Sequence, residues 1–322
     1  MGGDKGAISL MHDTLNLWAW IDASAALRLG ASKGPSGSIV DLTAWDPALH
    51  SMEAIWQRKK AERSAGGDGW QWLRDAIANL QLPRVESDRV SLRFPGELSE
   101  LWAAGVTYEQ SREARTRESK GGEDFYRKVY TAERPELFFK APGPRIVGPD
   151  AVMGLRPDSH WMVPEPELAV ILDPQGGIFG YTAGNDLSSR DIEGENPLYL
   201  PQAKIFHHSA ALGPSIALAE TVDPTQLDIE LAVLRGGMLV FNDRTSTARL
   251  RRSVQELVGY LGTAWPLAPW TGLMTGTGIV PPDEFALRPG DEVRIAITGI
   301  GTLRNLVRRI DASWVDFPNS RS

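Results

Sequence analysis

The reading of the chain turns on WMVPEPELAVIL at residues 161–172, GNDLSSRDIE at 184–193 and NPLYLPQAK at 196–204. Glu165 and Glu167 open an apolar run, residues 168–172, that reads as a buried strand. Positions i and i+2 of a strand point to one face. Two carboxylates on one face repel unless positive charge lies between them. A hard divalent cation meets that demand, because Mg2+ and Ca2+ take oxygen ligands. Asp186 follows the turn DPQGG at 173–177 and a short second strand over 178–183. A hairpin return would carry it back beside the two glutamates. Alone, Glu-Pro-Glu at a strand start reads as a solvated edge. The polar groups that follow, DLSSRD at 186–191 and QAK at 202–204, shift the reading to a metal site with a catalytic lysine, Lys204.

The same residues resemble the fumarylacetoacetate hydrolase family. The Glu-x-Glu pair is Glu165 and Glu167. The later aspartate in a D-x-[ST]-x-R-D setting is Asp186, with Ser188, Ser189, Arg190 and Asp191, and the lysine eighteen residues on is Lys204. The string NPLYLPQAK is similar to one branch, the 2-keto-3-deoxy-pentonate dehydratases. The resemblance spans roughly residues 105–314. It implies a core of mixed, rolled β-sheets, and the many strands and Gly/Pro turns read likewise as a mostly β, α+β fold, with a small N-terminal α+β domain at 1–95 and a catalytic domain at 96–322. It also implies a homodimer or homotetramer.

The totals agree with a soluble enzyme. The chain has 322 residues, 42% hydrophobic and 23% charged, enough for a large core. No run approaches the ~20 apolar residues of a membrane span. Acids interrupt residues 8–13 too early for a signal peptide. Cysteine is absent, which excludes disulfides and thiolate chemistry. The expected setting is the cytoplasm, with no membrane partner. A net charge of −7 argues against nucleic acid as a partner.

In chain order, residues 15–21 read as a strand and the Gly/Ser-rich residues 30–38 as a loop. Residues 51–65 and 70–80 read as helices, the second stopped by Pro83. The tryptophans of this third read as core or interface. Residues 98–115 read as strand then helix. After Tyr108, where many relatives of the family carry a histidine and an acid, this chain has Glu109, Gln110, Ser111, Arg112 and Glu113. The family's C–C hydrolases use that histidine in a water-activating pair, so the departure points away from them. The basic residues of 112–128 read as a solvated helix face. Glu136 and Lys140 flank Phe138 and Phe139, and the resemblance puts both at a pocket wall, Glu136 as an acid–base group. His207 and His208 read as structural. Residues 229–242 read as a hairpin about Gly236 and Gly237, and Ser253 to Glu256 as a capping box. Thr277, in MTGT at 274–277, stands where the family's active-site loop would hold a substrate carboxylate.

The resemblance therefore implies Mg2+, with Mn2+ or Ca2+ as alternatives, on Glu165, Glu167 and Asp186. It implies acid–base roles for Lys204 and Glu136. The candidate substrate contacts are Ser111, Arg112, Lys140, Ser188, Arg190, Asp191, Gln202 and Thr277. The implied substrate is a small sugar acid, a 3-deoxy-2-oxo-pentonate. Removal of a C3 proton and loss of the C4 hydroxyl would lead to 2,5-dioxopentanoate, a step in pentose breakdown without phosphorylation. An acylpyruvate-type C–C hydrolase or oxaloacetate decarboxylase is the alternative, and a metal-stabilised binding protein the non-catalytic one.

Overall fold

The computed structural model describes residues 14–118, 129–264 and 266–314. Expectations about residues 8–13 and most of the basic stretch 112–128 fall outside these. The first third contains β1 (Leu15–Ile21), β2 (Leu27–Lys33), β3 (Ser38–Asp41), α1 (Leu42–Trp45), α2 (Met52–Ser64), α3 (Gln71–Ala78), β4 (Arg84–Glu86) and β5 (Ser91–Arg93). Next come β6 (Glu100–Gly105), α4 (Glu109–Glu118), β7 (Glu136–Pro142), β8 (Ile146–Val147), β9 (Val152–Leu155) and β10 (Met162–Val163). The decisive stretch forms β11 (Pro166–Leu172), β12 (Ile178–Asp186), β13 (Ser188–Ser189), α5 (Arg190–Glu195) and α6 (Leu200–Lys204). The chain closes with β14 (Ala210–Leu218), β15 (Asp228–Arg235), β16 (Met238–Ser246), α7 (Val254–Leu261), β17 (Thr271–Thr277), β18 (Glu292–Ile297) and β19 (Gly301–Arg309).

Strands dominate, as the sequence predicts. A large mixed sheet runs β4-β3-β2-β1-β14-β12-β11-β17-β6-β7, with β5 added on β1 and β8 on β14. A second sheet runs β16-β15-β18-β19-β9, and β10 pairs with β13. One apolar core lies between the two main sheets, built from residues such as Leu168, Val170, Leu231, Ile295 and Leu303. A second covers the other face of the large sheet, where α2 and α3 pack. There Phe179 sits edge-on to Trp70 and Trp270, with ring centroids 6.1 and 5.2 Å apart. Of the tryptophans of the first third, Trp18, Trp20, Trp56 and Trp70 are buried in the core, and Trp45 and Trp72 are half-buried against it.

The N-terminal strands continue the large sheet, since β1 pairs with β14 through Asn16 and Leu17. The loop expected over 30–38 is shorter: residues up to Lys33 belong to β2. Gly30 permits this, because a Cβ there would lie 2.5 Å from Ile39 Cγ2 and 2.6 Å from the Val40 carbonyl. The expected helices appear as α2 and α3, and Ser51 caps α2 by accepting from Ala54 N. Ser253 caps α7 by accepting from Glu256 N.

Every residue of β11 is buried, which explains its unbroken apolar run between two neighbouring strands. The β11–β12 turn is held by Asp173, whose Oδ1 accepts from Gln175 N and Gly177 N. The hairpin register sets Glu167 opposite Gly184 and Pro166 opposite Asn185. One step further, Asp186 N donates to the Glu165 carbonyl at 3.0 Å. The hairpin thus returns Asp186 to the two glutamates.

Candidate active site

Glu165, Glu167 and Asp186 are buried, and one carboxylate oxygen from each lies within 4.8 Å of the others. Backbone pairing places them, not side-chain contact. Glu167 is opposite Thr277 of β17, and its Oε2 accepts from Gly276 N at 2.5 Å. Gly276 has φ of +95° and no room for a Cβ, which would meet Thr107 Oγ1 at 1.9 Å. Only glycine brings that amide to the carboxylate.

Three cations surround the cluster. Lys204 Nζ donates to Glu165 Oε2 at 2.6 Å, Asp186 Oδ2 at 3.1 Å and Ser188 Oγ at 2.6 Å. Arg190 donates to Glu165 Oε1 at 2.9 Å. Lys140 Nζ pairs with Asp186 Oδ1 at 2.5 Å and donates to the carbonyls of Leu187 and Lys204. Burial pushes the Lys140 ammonium below its usual pKa, opposed by Asp186. Burial pushes the Glu167 carboxyl well above the usual carboxylate range, and the charges of Asp186 and Glu165 push it the same way.

The donor set fits a hard divalent cation. It consists of oxygen atoms on three carboxylates, the ligand type Mg2+ prefers. Asp186 Oδ1 is buried, with Lys140 Nζ 2.5 Å away. Positive charge at the cluster would relieve the repulsion that raises Glu167.

A cavity of about 20 Å3 opens beside the cluster, roughly the room of one water or bare cation. A larger ligand therefore enters only as wall side chains move. Its floor is the triad with Lys204. One wall is the end of β6 with Glu136 and Phe138 of β7. A Cβ on Gly105 would lie 2.2 Å from Glu136 Oε2, so the carboxyl rests on the bare backbone of β6. The remaining wall is helical, with Ser111 of α4, Glu193 of α5 and Leu200 before Lys204 in α6, and Thr277 completes it.

The other predicted residues divide. Ser188 and Arg190 hold Lys204 and Glu165. Lys140 lies behind Asp186 and does not line the cavity. Asp191 also lies outside it: its carboxylate accepts from Ser159 Oγ, His160 N, Ser189 Oγ and Ile192 N. Burial alone would raise that carboxyl, and these hydrogen bonds hold it below its usual pKa. Arg112 pairs along α4 with Glu109 at 3.3 Å and Glu113 at 3.6 Å and is not a lining residue. The Gln202 side chain is exposed, and its carbonyl accepts from Arg156. His207 and His208 stack at 4.0 Å against the edge of Trp314, and neither lines the cavity.

Asn196 does structural work, its side chain capping the next turn through Leu198 N. Sequence reasoning missed Phe138, Leu200 and above all Glu193 as lining residues. Glu193 stands three positions after Arg190, a spacing that puts both on one helix face, and that was the available signal.

Residues 101–308 match the family model described as fumarylacetoacetate (FAA) hydrolase, C-terminal. The chain is 47% identical over 217 residues to a probable 2-keto-3-deoxyxylonate dehydratase of Haloferax volcanii, covering 67% of this chain and 74% of that one. It is 43% identical over 232 residues to the 2-dehydro-3-deoxy-D-arabinonate dehydratase of Saccharolobus solfataricus, covering 71% and 78%. A solved structure of 2-keto-3-deoxy-D-arabinonate dehydratase, complexed with magnesium and 2,5-dioxopentanoate, aligns with a TM-score of 0.72 at 32% identity, covering 92% of this chain and 99% of that one. From its buried carboxylate cluster to its overall fold, the chain belongs to the fumarylacetoacetate hydrolase family.

Proposed function

We propose that the protein is a Mg2+-dependent dehydratase that converts a 2-keto-3-deoxy-pentonate to 2,5-dioxopentanoate. The observation that carries this reading is the buried triad of Glu165, Glu167 and Asp186 with Lys204 Nζ hydrogen-bonded to two of its members. The dehydratase names of the similar chains, and the magnesium and 2,5-dioxopentanoate in the aligned structure, support it.

Glu165, Glu167 and Asp186 would hold the Mg2+. Bound there, the ion supplies Lewis acidity to the 2-oxo group of the substrate, which makes the C3 proton more acidic. Lys204 and Glu136 are the proton-transfer pair at C3 and C4. They face one cavity from different elements, so one takes the C3 proton while the other donates to the departing C4 hydroxyl. Ser188 and the carboxylates orient the lysine. Thr277 and Ser111 offer hydroxyls to the polar atoms of the substrate. Arg190 neutralises Glu165 and keeps the floor rigid.

Among the described residues no histidine lines the cavity, which favours dehydration over a C–C hydrolase that needs a water-activating histidine. The test is a steady-state assay with both C4 epimers of 2-keto-3-deoxy-pentonate and Mg2+. Formation of 2,5-dioxopentanoate is followed through a coupled aldehyde dehydrogenase. Turnover of one epimer, with acylpyruvates and oxaloacetate inert, is the expected result. Turnover of acylpyruvates or oxaloacetate alone would replace the reading with the hydrolase or decarboxylase.

A further inference from the structure

Resting on that proposed reaction, we infer that Glu193 is a third proton-transfer residue, beside Lys204 and Glu136, which removes a proton from C5 of the dehydrated intermediate. The need for it follows from the chemistry of the product. Loss of the C3 proton and the C4 hydroxyl from 2-keto-3-deoxy-pentonate gives 5-hydroxy-2-oxopent-3-enoate and water. That compound still carries a CH2OH group at C5, whereas the product carries an aldehyde. A C5 proton must therefore leave and C3 must regain one.

The step balances without an oxidant or any other reactant. A base takes the C5 proton, and the electron pair of that C–H bond forms the C4–C5 double bond. The C3–C4 π pair moves to C2–C3, and the carbonyl π pair moves onto the C2 oxygen. Protonation at C3 restores the 2-oxo group and leaves an enol at C4–C5. Transfer of the enol proton to C4 gives 2,5-dioxopentanoate.

Among the described residues that line the cavity, one ionisable side chain is left without a task by the triad and the Lys204–Glu136 pair. Glu193 lines it from α5 and is only 3% exposed. It lies outside the cluster that could hold the cation. Its helix is fixed through its first two residues: Arg190 is tied to Glu165, and Asp191 to Ser159 and His160. The carboxyl is thus held on the helical wall, apart from the strand floor. A substrate anchored at the floor by its C1 and C2 oxygens directs its C5 end toward the other walls. Leu200, beside Glu193 in that wall, gives this end an apolar neighbour that excludes water from the proton transfer.

The experiment compares the wild type with Glu193→Gln, Glu193→Asp and Glu136→Gln, using substrate with hydrogen or deuterium at C5. Substrate loss, the conjugated enone and 2,5-dioxopentanoate are followed separately by NMR, and Mg2+ affinity by calorimetry. In Glu193→Gln, aldehyde formation should fall by about 10²-fold or more. Substrate loss should fall far less, the enone should accumulate, and Mg2+ affinity should be unchanged. Glu193→Asp should recover part of the aldehyde rate, and deuterium at C5 should slow aldehyde formation rather than substrate loss. Parallel loss of both rates without enone would overturn the inference and leave a purely structural role. Wild-type product ratios in Glu193→Gln, or enone accumulation in Glu136→Gln instead, would also overturn it. A wild type that turns over neither epimer would overturn the dehydratase reading itself.

Discussion

The floor and the helical wall of the cavity are built in opposite ways. The floor is a strand hairpin whose β11 is buried throughout and whose β12 is buried beyond its first residue. Its carboxylates are placed by ladders on both sides, to β17 and β14. The wall consists of α5 and α6, six and five residues long. Helices this short do not form alone. They are held by side chains reaching the floor: Arg190 to Glu165, and Lys204 to Glu165 and Asp186. Between them the chain touches solvent, with Leu198 83% exposed. The contrast amounts to a division of labour. The triad carboxylates ride on paired backbone, whereas Lys204 and Glu193 ride on short helices held by side-chain contacts.

The largest effect should come from breaking the floor. Glu167→Gln replaces one of the three proposed carboxylate ligands by a neutral amide while keeping the shape. Mg2+ binding by calorimetry should be lost, and kcat/KM should fall on the order of 10³-fold or more. Normal Mg2+ affinity in this variant would remove Glu167 from the ligand set.

Lys204→Ala tests the tie between wall and floor. Turnover should fall about 10²–10⁴-fold. Mg2+ affinity should stay equal or rise, because the ammonium occupies Glu165 Oε2 and Asp186 Oδ2 and competes with a cation for them. Wild-type turnover would exclude Lys204 from the chemistry.

Gly105→Ala probes the β6–β7 wall. The new methyl would lie 2.2 Å from Glu136 Oε2 and must push that carboxyl aside. Displacing a reacting group by an ångström costs on the order of 10–100-fold in kcat. Mg2+ affinity should not change, which a titration on the same sample checks.

The smallest effect should come from Gln202→Ala, whose exposed side chain does not line the cavity. Activity and melting temperature should stay within about twofold and a degree or two of wild type. A large rise in KM would return Gln202 to the substrate contacts.

How much of this could be read from sequence follows the same division. The triad was legible because an i, i+2 carboxylate pair leading into a buried strand is costly unless a cation lies between the two charges. The short turn at 173–177 set the return of Asp186. Lys204 came from the polar groups that follow the strand together with the family resemblance, and Glu136 chiefly from the resemblance. Phe138 and Leu200 were not singled out as lining residues, because burial by tertiary packing leaves no periodic mark in segments this short, and the one signal for Glu193 was its spacing from Arg190. Gln202, Arg112 and Asp191 were expected at the substrate for their place in the motif. Which side of a one-turn helix faces inward depends on contacts that the motif does not encode. The start of the loop expected over 30–38 failed for a different reason. Gly30 looked like a breaker, yet there it serves close approach of neighbouring strands.

Whether the carboxylate floor works through a bound metal is decided by turnover of 2-keto-3-deoxy-pentonate in enzyme stripped with EDTA, followed across added Mg2+. The stripped enzyme should be inactive. Added Mg2+ should restore the wild type saturably and should not restore Glu167→Gln. Undiminished turnover after complete removal of divalent metal would contradict a metal-dependent dehydratase.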